Sequence, residues 1–178
     1  MPSLSPESDP ADAATPVFGV TVGLLAWGMF FAALVFAVGF LRLREPWPPA
    51  DLPPLPRILP ALGVGLLAGA ALLLHRGARH APARGYVTGV LAAQVGFLAV
   101  QGFVLSTLWR AGLRLPEGGA YASAVHGLGA LHAAHVLLGV AGLALWGLRR
   151  GAALRPWALY GDFLAVTGAM VLGAVYLT

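Results

Sequence analysis

Five apolar runs, at about 17–41, 58–75, 85–109, 121–148 and 156–177, leave this chain few ways to fold. Crossing about 30 Å of hydrocarbon takes about 20 residues of helix, and each run reaches or nears that length. At that depth backbone N–H and C=O groups have no water to pair with, so each run must satisfy its own hydrogen bonds as a helix. Composition agrees. Hydrophobic residues are 58% of the 178 and charged residues 10%, with a mean hydropathy of +0.80, whereas a water-soluble domain carries about 25% charged residues. The expected fold is all-α, an integral membrane bundle of five transmembrane helices forming one domain over 17–178.

The first sixteen residues, MPSLSPESDPADAATP, are polar, acidic and proline-bearing. They lack the basic start of a signal peptide, and the apolar run after them is too long for one. A disordered tail ahead of an uncleaved first span is expected. Between spans one and two, RLREPWPPADLPPLPR (Arg42 to Arg57) holds six prolines, which cannot continue a helix and fix an extended connector. Shorter arginine-bearing segments separate the remaining spans.

Charge and cysteine content exclude several functions. With no cysteine, the chain has no disulfide, thiolate metal site or iron–sulfur cluster. The net charge of +4 comes from eleven arginines and no lysine. They cluster between apolar runs, as charges flanking membrane spans do, so nucleic acid is not an expected partner. Six arginines (76, 79, 84, 149, 150, 155) fall on the side of the N-terminus and five (42, 44, 57, 110, 114) on the other. That small excess favours a cytoplasmic N-terminus and an outward C-terminus. Small residues recur at four-residue spacing, as Gly19 and Gly23, as Ala61, Gly65 and Gly69, and as Gly85 and Gly89. Such positions let helices approach closely, and a tight bundle is expected around them.

Polar residues inside the spans are the candidates for function. At 100° per residue, Tyr121, Val125, Leu128, His132, His135, Gly139, Gly142 and Trp146 form one stripe of span four. His132 and His135 thus face the same neighbour. Two histidines on one helix cannot ligate both faces of a haem, and a metal would need a third ligand. Asp162, the one embedded carboxylate, lies about 10 Å below His135 at 1.5 Å per residue. Two readings stay open for the pair: polar packing, or a lipid-headgroup or proton-linked site. Gln94, Gln101, Tyr121, Ser123 and backbone carbonyls are the candidate partners. Intramembrane acids are rare and usually face the protein interior, which makes Asp162 a functional candidate. The alternative is that it reaches the interface near Arg155. His126, on the opposite face, needs no special role.

These residues resemble a known family. Tyr121 through Gly139, YASAVHGLGALHAAHVLLG, is similar without a gap to the YGSxFFxLTGFHGLHVxxG helix of haem–copper oxidase subunit III. Tyr121, Ser123, His132, His135, Val136 and Gly139 fall on matching positions. The last span, from Tyr160-Gly-Asp162-Phe163 to Tyr176, looks like the family's YWHFVDVVWLFLFxxxY helix. The LREPWPP segment resembles its LR…WPP…LP link, and Gln101 matches a glutamine of its third span. The departures are as specific. The family's first-span Ser-Glu is Ala26-Trp27 here, the acid after the glutamine is Val104, and a later aspartate is Ala165. Its Trp-His after Tyr160 is Gly161-Asp162.

The resemblance implies a divergent five-span, non-catalytic accessory subunit of a bacterial terminal oxidase in the inner membrane. It implies no cofactor in this chain, with haem and copper in partner subunits I and II, and phospholipid held in a cleft between the first two spans and the rest. Lipid or polar-seam candidates are His132, His135, Tyr121, Gln101, Asp162 and Tyr160. A related accessory subunit of a nitric oxide reductase, a small transporter and a lipid- or quinone-binding membrane protein are the alternatives. A b-type cytochrome anchor would show a haem spectrum.

Overall fold

The computed structural model describes residues 10–80, 84–148 and 153–177. It is all-helical across those residues, with five helices long and apolar enough to cross a membrane. They are α1 (Pro10–Arg42), α2 (Ile58–Gly77), α3 (Arg84–Arg110), α4 (Gly119–Gly142) and α5 (Arg155–Val171). α4 and α5 end in π-helical turns, Leu143–Gly147 and Leu172–Leu177. The chain is a multi-pass helical membrane protein. Its apolar segments, Val17–Arg42, Ile58–Gly77, Arg84–Arg110, Gly119–Gly147 and Arg155–Leu177, agree with the expected spans to within two residues at either end. The helical backbone of α1 begins at Pro10, inside the expected tail. Residues 1–9 of that tail, and Arg149 and Arg150, lie outside the described residues.

Span boundaries follow from local chemistry. Pro156 occupies the first turn of α5, where its missing N–H has no intrahelical acceptor anyway and its φ suits a helix. Six prolines keep the α1–α2 connector out of helix. After α3 the chain turns at Gly112, whose φ of +101° a side chain would oppose.

α2 packs along both α3 and α5, whereas α1 leans chiefly on α5 and touches α4 lightly. The first two spans therefore do not stand apart as a pair with a cleft behind them, as the resemblance implies. α2 belongs to the bundle, and α1 alone is peripheral. Only 11% of its most apolar window is buried, against 33–44% for the other four. Its anchors are Phe31, fully buried, and Val38. A first apolar cluster gathers Phe31, Phe97, Leu128, Val136, Phe163 and Leu164; a second lies where Ala70 and Leu74 of α2 meet Val87, Val90 and Ala158.

The glycines that admit close packing are not those at four-residue spacing. A Cβ on Gly19, Gly23, Gly65, Gly69 or Gly85 would meet nothing within 4 Å, and only Gly89 of that set adjoins a neighbour, Leu73. The contacts fall instead on Gly63, Gly129, Gly139, Gly142, Gly161 and Gly168. A run of small residues makes a smooth helix face, but bulky residues elsewhere on the helix decide which face turns inward.

Candidate functional site

The stripe on α4 is buried from Tyr121 through Val125, Leu128, His132 and His135 to Gly139. Trp146 departs from it and is half exposed, while Leu143 and Gly147 turn inward. The π-helical turn at Leu143–Gly147 explains this: its wider turn shifts the register of every side chain after Gly142.

Among the described residues, neither histidine finds a side-chain hydrogen-bond partner; both use backbone carbonyls. His132 Nε2–H donates to Leu164 O of α5 at 3.0 Å, and Thr167 Oγ1–H donates to Phe163 O and Leu164 O on the same turn. His135 Nδ1–H donates back to Leu131 O in its own helix at 2.8 Å. From α5, the Tyr160 hydroxyl donates to His135 O at 2.8 Å. Two bonds thus cross between α4 and α5 in opposite directions. Interhelical hydrogen bonds inside membranes are worth about 0.6 kcal/mol on average. Packing adds to them at Gly139, where a Cβ would stand 2.9 Å from the Tyr160 ring, and at Gly168, where it would stand 2.9 Å from His132 Cε1.

Aromatic rings enclose the pair. Phe97 of α3 lies edge-on to His132 at 5.2 Å between centroids, and Phe31 of α1 lies 5.3 Å from His135. Phe163 completes the wall at 5.9 Å from His135, and Trp27 stands edge-on to the same ring at 4.9 Å. Edge-to-face contacts of this kind contribute about 0.5–1.5 kcal/mol beyond their area. The arrangement fastens α1, α3, α4 and α5 at mid-depth.

The other expected members of the seam lie apart from it. Gln94 and Gln101 are buried on α3 but bond neither histidine. The Gln101 amide lies against Gly129, and the Gln94 amide points toward Gly139 with its carbonyl oxygen unpaired among the described residues. Tyr121 packs edge-on to Trp47 of the α1–α2 connector and donates a long bond, 3.4 Å, to Pro53 O. Ser123 bonds Gly119 O within α4, and His126 donates to Leu113 O in the α3–α4 connection. Among the described residues, no three histidine or acidic side chains converge as a metal site would require.

Asp162 belongs to a second polar site. Its carboxylate accepts from His75 Nε2–H, at 2.8 Å to Oδ2 and 3.0 Å to Oδ1, clasping the last turn of α2 to the second turn of α5. Gly161 makes the clasp possible. A Cβ there would stand 2.9 Å from Leu74 Cδ1 and 3.3 Å from Ala71 Cα, so only glycine lets α2 approach this closely. The Gly161-Asp162 pair thus supplies both the gap and the acid. Asp162, expected either to face the interior or to reach the interface near Arg155, pairs with His75 of α2 and stays nearly half exposed. The available signal was depth: His75 and Asp162 both lie near the N-terminal side of the bundle in any five-span topology.

No known protein-family model matches the chain, and no curated protein matches its sequence. The resemblance to subunit III is carried by the motifs alone.

Proposed function

We propose that this chain is a non-catalytic accessory subunit, of the subunit III type, in a bacterial haem–copper terminal oxidase. It would sit in the inner membrane with its N-terminus cytoplasmic and its C-terminus outside. It would pack beside the catalytic subunit I, with subunit II and phospholipid as further neighbours, and haem and copper would reside in those partners. One observation carries the reading. The segment matching the family helix, Tyr121 to Gly139, is the buried seam of the fold, where His132 bonds a carbonyl of α5 and the His135 ring packs against Phe31 of α1 and Phe163 of α5. These contacts suit a part in assembly, since the observed partners of both rings are helix carbonyls and aromatic edges. The outward apolar face of α1, with Phe18, Leu25, Met29 and Phe36 exposed, suits a peripheral helix packed against lipid or a larger membrane partner.

Purification of the tagged chain from its native membrane in mild detergent tests this. Co-elution with haem-containing subunits, in fixed ratio and with the visible spectrum of a haem–copper oxidase, is the expected result. A colourless protein that elutes alone would overturn it, and would favour a small lipid- or quinone-binding membrane protein instead.

A further inference from the structure

A cavity of about 270 Å³ lies where the proline-rich connector meets the start of α4 and the end of α5. Trp47, Pro54, Leu55 and Arg57 of the connector line it, with Tyr121 of α4 and Tyr176 of the π-helical turn that ends α5. It stands at the opposite end of the bundle from the His75–Asp162 clasp and shares no residue with it. Polar groups on its lining residues are left unspent. Trp47 Nε1 and the Tyr176 hydroxyl are buried, and neither has a hydrogen-bond partner among the described residues. The Gln101 amide approaches the Tyr176 hydroxyl without the geometry of a bond. The Tyr121 hydroxyl makes only its long bond of 3.4 Å to Pro53 O. Buried polar groups are nearly always paired, so three poorly used ones around one cavity call for a common partner.

The chemistry of that partner follows from the groups present. Indole N–H and guanidinium groups only donate, and a phenol can donate. Arg57 makes no ion pair among the described residues, and no acidic side chain lines the cavity. Arg42 holds a second positive charge at the rim. Its guanidinium lies 5.4 Å from the centroid of the Trp47 ring, and Nη1–H donates to Ala174 O at 2.9 Å. A donor set beside two arginines fits an acceptor that carries negative charge. The rest of the wall is aromatic and proline rings with Leu55. A bare inorganic anion would leave those surfaces uncovered. A carboxylate with a compact apolar body uses both the donors and the rings, and the volume lies near the lower end of the range for small-molecule sites, about 300 Å³.

We propose that this cavity binds a small organic carboxylate with an apolar body. The carboxylate accepts from Arg57 and from the Tyr176 hydroxyl, and the apolar body lies against Trp47 and Leu55. Because Trp47 Nε1 and the Tyr176 hydroxyl are buried, both side chains turn toward the cavity to pair, and binding alters the surroundings of the Trp47 indole. This chain alone forms the site, so the proposal does not require the oxidase.

Titration of the purified full chain in detergent with benzoate, followed by calorimetry and by tryptophan fluorescence, tests the site. Benzamide is the neutral probe of the same shape, and inorganic phosphate is the anion without an apolar body. Benzoate should bind saturably, and benzamide about tenfold more weakly, since a hydrogen bond to a charged group is the stronger kind. Arg57 is exposed, so Arg57→Gln should leave the fold intact, weaken benzoate about tenfold and leave benzamide unchanged. Tyr176→Phe keeps the ring, which is only 4% exposed, and should weaken benzoate about fivefold. Trp47→Phe should remove the fluorescence response while calorimetry still detects binding. Equal affinity for benzoate and benzamide, or benzoate binding unchanged by Arg57→Gln, would mean apolar partition only and would overturn the proposal. Competition by millimolar phosphate would overturn it in favour of a small-anion site, and the absence of saturable benzoate binding would overturn it outright. None of these outcomes depends on co-elution with haem subunits, so this proposal and the oxidase reading can fail separately.

Discussion

Replacing Gly161 by valine is expected to destabilise the bundle by about 2 kcal/mol, the range for overpacking a well-filled interior. The new Cβ would meet Leu74 Cδ1 at 2.9 Å, which a rotamer change could relieve, and Ala71 Cα at 3.3 Å, which it could not because that atom is backbone. α2 must then move away from α5, and the His75–Asp162 contact, 2.8 Å long, opens with it. The lost packing and the lost clasp add to each other because they share one interhelical gap. Gly65 provides the control, since a Cβ there meets nothing within 4 Å, and Gly65→Val should change stability by less than about 0.5 kcal/mol, as surface substitutions do. Unfolding in mixed micelles with rising SDS, followed by circular dichroism, measures both. Equal effects at the two positions would show that α2 does not approach α5 at Gly161.

The clasp itself predicts an asymmetry. His75→Leu leaves the Asp162 carboxylate without a partner about two turns inside the membrane-spanning segment. Asp162→Leu leaves an imidazole, whose neutral tautomers need no counter-charge. A lone acid at a helix centre costs about 2.5–3.5 kcal/mol. Both side chains are nearly half exposed, at 44% and 45%, so screening and access to the interface reduce that cost. His75→Leu should therefore destabilise by about 1–2 kcal/mol and Asp162→Leu by less than about 1 kcal/mol. The double variant should resemble Asp162→Leu, because removing both partners leaves no unpaired charge. The same SDS titration of all four proteins closes the cycle. Additive single effects would show that the two residues do not interact.

Much of this architecture is legible in the residues. Hydrophobic runs place the five spans because a membrane admits little else, and the 3.6-residue period places Tyr121 to Gly139 on the buried face of α4. Trp146 escapes that reading because a π-helical turn, which the LALWG segment does not announce, shifts the register. The partners of His132 and His135 escape it for another reason. Every residue carries the same carbonyl group, so no side-chain pattern marks Leu131 O or Leu164 O as the acceptor. The small-residue stripes mislead because spacing identifies a smooth face without saying where it points. The His75–Asp162 pair has two visible members, and what joins them is the absence of a side chain at Gly161. Trp27 is visible in sequence, but its contact with the His135 ring is a matter of helix rotation.

That contact bears on the central claim. Aromatic edges surround the histidines and their N–H groups bind helix carbonyls, and the proposed function assigns this seam to holding helices rather than to turnover. The most direct test measures oxidase turnover per haem in complexes assembled with the His132→Gln/His135→Gln double variant. Glutamine retains an N–H donor but lacks the ring, so packing weakens while polarity remains. The expected result is a lower yield of complex with turnover per haem close to that of the unaltered protein. A large fall in turnover per haem, in complex assembled at normal yield, would contradict the account.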